Sequence, residues 1–361
     1  MTPTEVLFAQ ASTGDITTLA IPAIAGDALA LMCTTATANS GQIVIANVIS
    51  TGANYLYVLT PPSKAGPNTV TISSFLIGHT APVTLTPVGT PLTVTGAGSF
   101  IGTFALQTDP SGLFLTLTDT SKSVVHIFLI TQSTGALTTE APGSPFPAAN
   151  AFLTAAAVNG LGEFLYVTDN EDGLIFMFSV NVNSATNVLT ALAGVSINAS
   201  GGIAANSPIS MLVNSTATLL YTANNLSISI FAISGADGSL GPAVGLASPV
   251  VPAPAFSPQL LAVDFTNSFL YATGQGTEGV LGYMINGDGS LQVLNGGTPF
   301  ASGLAGGVTD IVADPTESVI YLLINGVINP YTISTTSLGN LDPPTGTQTF
   351  TSSTNIALAG V

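Results

Sequence analysis

A short apolar phrase returns about every 50 residues along this chain, and a fixed period of that size marks one repeat architecture rather than independent domains. It reads Asn54-Tyr-Leu-Tyr-Val-Leu-Thr60, Gly112-Leu-Phe-Leu-Thr-Leu-Thr118, Glu163-Phe-Leu-Tyr-Val-Thr-Asp169, Thr218-Leu-Leu-Tyr-Thr-Ala-Asn224, Ser268-Phe-Leu-Tyr-Ala-Thr-Gly274 and Ser318-Val-Ile-Tyr-Leu-Leu-Ile324. A degenerate copy, Glu5-Val-Leu-Phe-Ala9, opens the chain. The anchors of the seven copies are Phe8, Tyr57, Leu115, Tyr166, Tyr221, Tyr271 and Tyr321. Two-residue alternation and a high density of turn residues exclude helical repeats.

Each copy resolves into four short strands. In the sixth they are Pro258 to Asp264, Ser268 to Thr273, Gly279 to Ile285 and Leu291 to Leu294, with the turn Asn286-Gly-Asp-Gly-Ser290 before the last. Asp288-Gly289 is a hairpin signal because both central residues of a type I′ turn need positive φ. Asp237-Gly238 repeats the device. Asn159, Asn214, Asp264 and Asp314 stand seven residues before their anchors, and Asp109 six before Leu115. Asp and Asn bond their own backbone two residues on, so these acids read as turn caps between first and second strands, not as catalytic groups.

The two ends complement each other. Phe8 lies too close to Met1 for a first strand before it, whereas Thr354-Asn-Ile-Ala-Leu-Ala-Gly-Val361 reads as a first strand with nothing after it. Pairing the two completes a seventh unit and removes the open edges. The expectation is an all-β, seven-bladed β-propeller of four-stranded antiparallel blades, closed by the C-terminal strand on the N-terminal strands. The blades are expected at about 354–361 plus 4–38, then 42–94, 100–142, 151–193, 208–245, 258–294 and 308–342, in a single domain 1–361.

The Asp/Asn turn, Phe-Leu-Tyr-Val-Thr, Ile-x-x-Phe-x-Ile and the following Thr-Gly-x-Leu or Asp-Gly-Ser-Leu together resemble the seven-bladed lactonase-type propellers. These are 6-phosphogluconolactonase-like proteins and, similarly, surface-layer propellers with YVTN-type repeats. The resemblance covers essentially the whole chain and includes Pro142-Gly-Ser-Pro-Phe146 and Gly296-Gly-Thr-Pro-Phe300. It implies lactone hydrolysis by a cluster of His, Arg and acidic residues at one mouth of the ring. This chain departs from that pattern: Lys and Arg total 2, both of them lysines, Lys64 and Lys122.

With 18 acidic residues the formal net charge is -16, and only 6% of residues are charged. Phosphate neutralisation needs clustered Lys or Arg, so nucleic acid is excluded as a partner and a phosphorylated lactone is disfavoured. No run approaches the ~18 apolar residues of a membrane helix, so membrane insertion is not expected. The single cysteine, Cys33, lies in an apolar run and reads as core. The opening Met1-Thr-Pro-Thr carries no leader, while the sparse-charge, Ser/Thr/Asn-rich composition reads as extracytoplasmic, with a signal peptide removed.

The candidates for chemistry are few. His126, in Val124-Val-His-Ile-Phe128, is the candidate catalytic base, set against a packing role in a third strand. His79 falls at a third-to-fourth-strand turn. Asp169, Glu171 and Asp172, in Asp169-Asn-Glu-Asp172, are the candidate metal ligands. Their oxygens suit Ca²⁺, although the spacing is not that of an EF-hand and a solvated acidic turn is the plainer reading. Glu278 is read in the same way. The functional expectation is a binding or assembly scaffold for protein, glycan or a second copy of itself. The alternative is a hydrolase of an uncharged lactone.

Overall fold

The recurring phrase is apolar at consecutive positions because its strand is covered on both faces. Phe164–Asp169 shows this, with every residue from Leu165 to Asp169 buried. A strand sandwiched between two neighbours has no solvent face, so alternation gives way to a continuous apolar run. In the computed structural model the described residues are 5–11, 13, 15–21, 29–36, 42–48, 52–60, 69–95, 104–148, 152–198, 207–242, 256–344 and 353–360. They form seven antiparallel sheets, six of them with their four main strands in chain order and one headed by the last strand of the chain. Blade 3 carries an additional two-residue strand, Phe146–Pro147, on its third strand. The only helical piece among the described residues is the 3-10 turn Asn295–Gly297.

The inner strands of blades 2 to 7 are Ile43–Val48, Phe104–Thr108, Leu153–Val158, Pro208–Val213, Pro258–Val263 and Val308–Ala313. Blade 1 takes its inner strand from the other end of the chain. Ser353–Gly360 pairs with Glu5–Ala11, placing Phe8 opposite Ala357 and Glu5 opposite Gly360. Each inner strand touches the next, and Ser353–Gly360 touches both Ile43–Val48 and Val308–Ala313, so the ring is closed. This is the seven-bladed propeller, with the closure expected from the sequence.

Seven apolar clusters fill the seven junctions between blades. Tyr57, Tyr166, Tyr221, Tyr271 and Tyr321 are fully buried in them. Three of these anchors also reach across to the next blade. Tyr57 donates to the Gly135 carbonyl at 2.8 Å, Tyr166 to Gly238 at 2.9 Å and Tyr271 to Gly339 at 2.8 Å. Those glycines form the third-to-fourth-strand turns. A Cβ at Gly238 would stand 2.2 Å from the ring of Phe164, and its φ of +68° is left-handed. Glycine is therefore required twice over, for close approach and for backbone conformation. Burial raises the tyrosine hydroxyls, that of Tyr221 to about 12, so the anchors stay protonated.

The third copy is shifted by one residue from the expected alignment. Thr116, not Leu115, pairs with Gln107 and Ile127, as Tyr166 pairs with Ala157 and Met177. Leu115 instead faces blade 2, in the cluster that holds Tyr57. The Asp109 spacing then becomes seven, like the others. Period-two side-chain geometry makes a one-residue slip a change of face.

Gly238→Ala is expected to destabilise the protein by about 2–4 kcal/mol in urea unfolding. Gly235→Ala, with nothing within 4 Å of its Cβ, stays within about 0.5 kcal/mol of the parent.

Candidate functional site at the central channel

The turn-cap reading of the acids holds in the structure. Asn159 accepts the Glu163 and Phe164 amides at 2.8 and 2.9 Å. Asp264 accepts those of Ser268 and Phe269 at 2.8 and 2.7 Å. Asp314 accepts Thr316 and Glu317 at 2.9 and 2.8 Å. Asp109 and Asn214 do the same for their own turns. Every one of these five side chains is buried, where an unmade bond is costly.

The acidic loop is less solvated than expected. Asp169 is buried, and one carboxylate oxygen accepts the amides of Phe152 at 2.9 Å and Glu171 at 3.1 Å. Glu171 and Asp172 point to solvent. No three His, Cys, Asp or Glu side chains gather to hold a metal among the described residues. Glu278 is likewise a cap rather than a solvated acid. It accepts the amides of Ser257 at 2.7 Å and Gln275 at 3.1 Å. Ser257 precedes the inner strand of blade 6 as Phe152 precedes that of blade 4, and the place of Asp169 is taken by Gly274. A Cβ there would lie 2.5 Å from the Glu278 Cβ, so the missing side chain makes room for the substitute carboxylate.

His126 sits in the third strand of blade 3, away from the inner strands. Its Nδ1 lies 3.2 Å from Glu140, whose carboxylate also accepts the Ser144 hydroxyl at 2.8 Å. Burial pushes the Glu140 carboxyl up, but the bonds from His126 and Ser144 outweigh it and leave the group below its ordinary range. The ring lies parallel to Phe128, 6.1 Å away. The serine is bonded to the glutamate and not to the histidine, so the trio lacks the nucleophile–base contact of a hydrolytic triad. Lys122 and His79 are exposed. Lys64 and the side chain of Cys33 fall outside the described residues.

The concave site is the channel. A cavity of about 490 Å³ opens between the inner strands, within the ~300–1,000 Å³ range of small-ligand pockets. Its polar lining comes from Gln42, Gln107, Thr108, Thr309 and Asp310. The inner strands of blades 4 to 7 begin with a register shift, which bends the strand and re-aims its side chains. Thr168 and Thr273 fill two of these bulges, their hydroxyls accepting the amides of Ala155 and Leu260, each at 3.0 Å. In blade 7 the corresponding second-strand residue is Leu323, which has no hydroxyl. The residue that follows the bulge there is Asp310, whose own carboxylate accepts Ile311 N–H and, across the seam, Ile356 N–H, both at 2.9 Å. Burial without a nearby cation pushes its carboxyl up to about 6, only partly offset by those two amides. Sequence reasoning missed Asp310. The available signal was a single acid in Val308-Thr-Asp-Ile-Val312, where the other blades place Ala155, Ser210 and Leu260.

With this geometry established, known proteins add the following. No family model matches the chain, and no curated protein matches it. Solved structures do. A candidate 6-phosphogluconolactonase of Bacteroides fragilis superposes with a TM-score of 0.76 at 16% identity, over 99% of each chain. The periplasmic gluconolactonase PpgL of Pseudomonas aeruginosa gives 0.75 at 11% identity, again over 99% of each. A protein from Lactobacillus plantarum gives 0.72 at 14% identity, over 98% of this chain and 99% of that one. The fold is that of the lactonase-like propellers. Identities this low establish the fold and leave chemistry to the residues. Among the described residues no helix is long and apolar enough to cross a membrane.

Glu278→Ala is expected to cost about 1–3 kcal/mol, because two amides lose their acceptor, whereas Glu278→Gln keeps an acceptor and costs about 1 kcal/mol or less. Hydrogen exchange at Ser257 and Gln275 reads the difference directly, with faster exchange only in the alanine variant.

Proposed function

We propose that this propeller binds an uncharged sugar-type lactone in its central channel and hydrolyses it with Asp310 as general base. The observation that supports the reading is that Asp310 alone is titratable among the residues lining the cavity, and that its carboxyl is raised to about 6. A base poised near neutral pH can take a proton from water while that water attacks the lactone carbonyl. The ring ester C–O bond then breaks, the ring oxygen takes up the proton, and a hydroxy acid leaves. Gln107 and Thr108 supply neutral donors for the developing oxyanion. The solved relatives named as lactonases support the same chemistry. With no arginine in the chain, no lysine among the residues lining the cavity and a net charge of -16, the channel suits an uncharged lactone and repels a phosphorylated one. An extracytoplasmic setting fits the composition and the periplasmic relative.

A second reading, a scaffold for protein, glycan or self-association, is favoured by one observation. At 6% charged residues the surface is cheap to desolvate.

A panel of uncharged and phosphorylated lactones, each assayed with and without EDTA, separates the two. Hydrolysis of uncharged lactones is expected, unaffected by chelator and rising with pH through about 6 as Asp310 ionises. Asp310→Asn lowers it by about 10²–10⁴-fold. A folded protein with no turnover above buffer ends the hydrolase reading. Mass measurement at rising concentration then tests the scaffold.

A further inference from the structure

The junction between blades 7 and 1 is where the two ends of the chain meet, and its polar stitches differ in kind from those at other junctions. Between blades 4 and 5, Thr154 donates to the Pro208 carbonyl at 3.1 Å. Between blades 5 and 6, Ser210 donates to Gln259 at 2.6 Å. Between blades 2 and 3, the Gln42 side-chain oxygen accepts Leu106 N–H at 2.7 Å. These groups are neutral at every accessible pH. At the 7–1 seam the stitches are carboxyls. Asp310 of blade 7 accepts Ile356 N–H of the C-terminal strand, and Glu5 of blade 1 accepts the Thr316 hydroxyl of blade 7 at 2.8 Å.

Among the described residues neither carboxyl has a cation to pair with. Glu5 is buried and faces Asp314, Glu317 and the Tyr321 hydroxyl, all acidic. Asp310 meets no other titratable side chain among the residues lining the channel. The lysines are remote in the chain, Lys64 between the second and third strands of blade 2 and Lys122 between those of blade 3.

We propose that this seam is a proton-dependent clasp, holding the C-terminal strand most firmly when Glu5 and Asp310 are protonated and loosening as they ionise. Burial supports the direction at both sites. It is the largest cause raising Glu5 from 4.5 to about 7, with Asp314 and Glu317 adding repulsion, and Asp310 from 3.8 to about 6. A carboxyl whose folded pKa lies above its unfolded value favours the folded state in its protonated form. That contribution is complete below about pH 4 and is lost as pH rises through 6 to 7. Glu140, Asp237 and Asp288 are shifted the other way, so their losses fall on the acid side, below the ordinary carboxylate range. The inference holds whether or not the channel hydrolyses a lactone, because its readout is stability and not turnover.

The test is thermal unfolding of the full chain between pH 5 and pH 8 at fixed ionic strength, with amide exchange across residues 353–360. The melting midpoint is expected to fall with rising pH. Opening of the C-terminal strand, corrected for intrinsic exchange, should grow by tenfold or more, since each pKa unit is worth about a factor of ten. Glu5→Gln keeps an acceptor for the Thr316 hydroxyl and removes the charge, whereas Asp310→Asn removes the charge but keeps only one of the two acceptor oxygens that hold Ile311 and Ile356. Glu5→Gln should match the parent at pH 5 and exceed it at pH 8, and Asp310→Asn, weakened at pH 5 by the lost amide bond, should lose less than the parent between pH 5 and pH 8. A parent midpoint that is flat or rises from pH 5 to 8 overturns the clasp. So do variants whose midpoints fall with pH as steeply as the parent's. Should one variant fail to fold, the other variant and exchange in the parent carry the same test.

Discussion

Everything in this molecule hangs on the fit of one blade against the next. A four-stranded blade cannot bury both of its faces alone, and each second strand here is apolar on both. Phe164 and Tyr166 show how the fit is specified. The phenylalanine ring occupies the space a side chain on Gly238 would need, and the tyrosine hydroxyl bonds the carbonyl of the same glycine. The pairs Tyr55 and Tyr57 on Gly135, and Phe269 and Tyr271 on Gly339, repeat it. Apolar burial supplies most of the free energy, and the hydroxyl-to-carbonyl bond sets register and spacing. Where the bond is not made, the apolar half still operates. The Tyr221 hydroxyl and that of Thr116 have no partner, yet both residues are fully buried.

A ring assembled this way must close, and closure creates the channel. Inner strands pack side by side at a narrow axis, so their residues must be small, neutral or satisfied by a neighbour's backbone. Thr154, Ser210 and Gln42 meet that condition with uncharged groups. Asp310 meets it with an ionisable one, which is why the same side chain serves as a seam bond and as the channel's single candidate base. These roles oppose each other energetically. The clasp favours the protonated form, and base catalysis requires the ionised one. Strain of this sort collects at functional sites because the surrounding structure over-determines them.

Architecture was legible in the sequence because it is carried by repeated residues, and seven copies report the same constraint. The blade count, the closure by 353–360 and the caps at Asn159, Asn214, Asp264 and Asp314 all followed from that redundancy. Leu115 was misplaced because blade 3 puts threonine at the anchor, and an alignment keyed on bulk slid to the nearest large residue. Glu278 was matched to the acidic loop of blade 4, but its capping role was hidden. Its carboxylate replaces that of Asp169 from a different chain position, an equivalence visible only in space. The contact between His126 and Glu140 spans a hairpin whose register spacing alone did not reveal. Asp310 was the hardest to find, since nothing local separates an acid facing a channel from an acid facing water.

The scarcity of charge sharpens the meaning of those acids that remain inside. With 2 lysines against 18 carboxylates, a buried acid in this chain cannot be stabilised by an ion pair as a matter of course. It is held by backbone amides, as at Asp169, Asp264 and Asp310, or by a hydroxyl, as at Glu5, and at Asp310 and Glu5 burial still raises the pKa. A raised pKa leaves a group that can gain and lose a proton near neutrality, and general base chemistry requires that property. Position on the channel wall therefore sorts the interior acids where amide bonds alone do not. It removes the acidic loop around Asp169 from the list of reactive sites and leaves the channel wall of blade 7 on it.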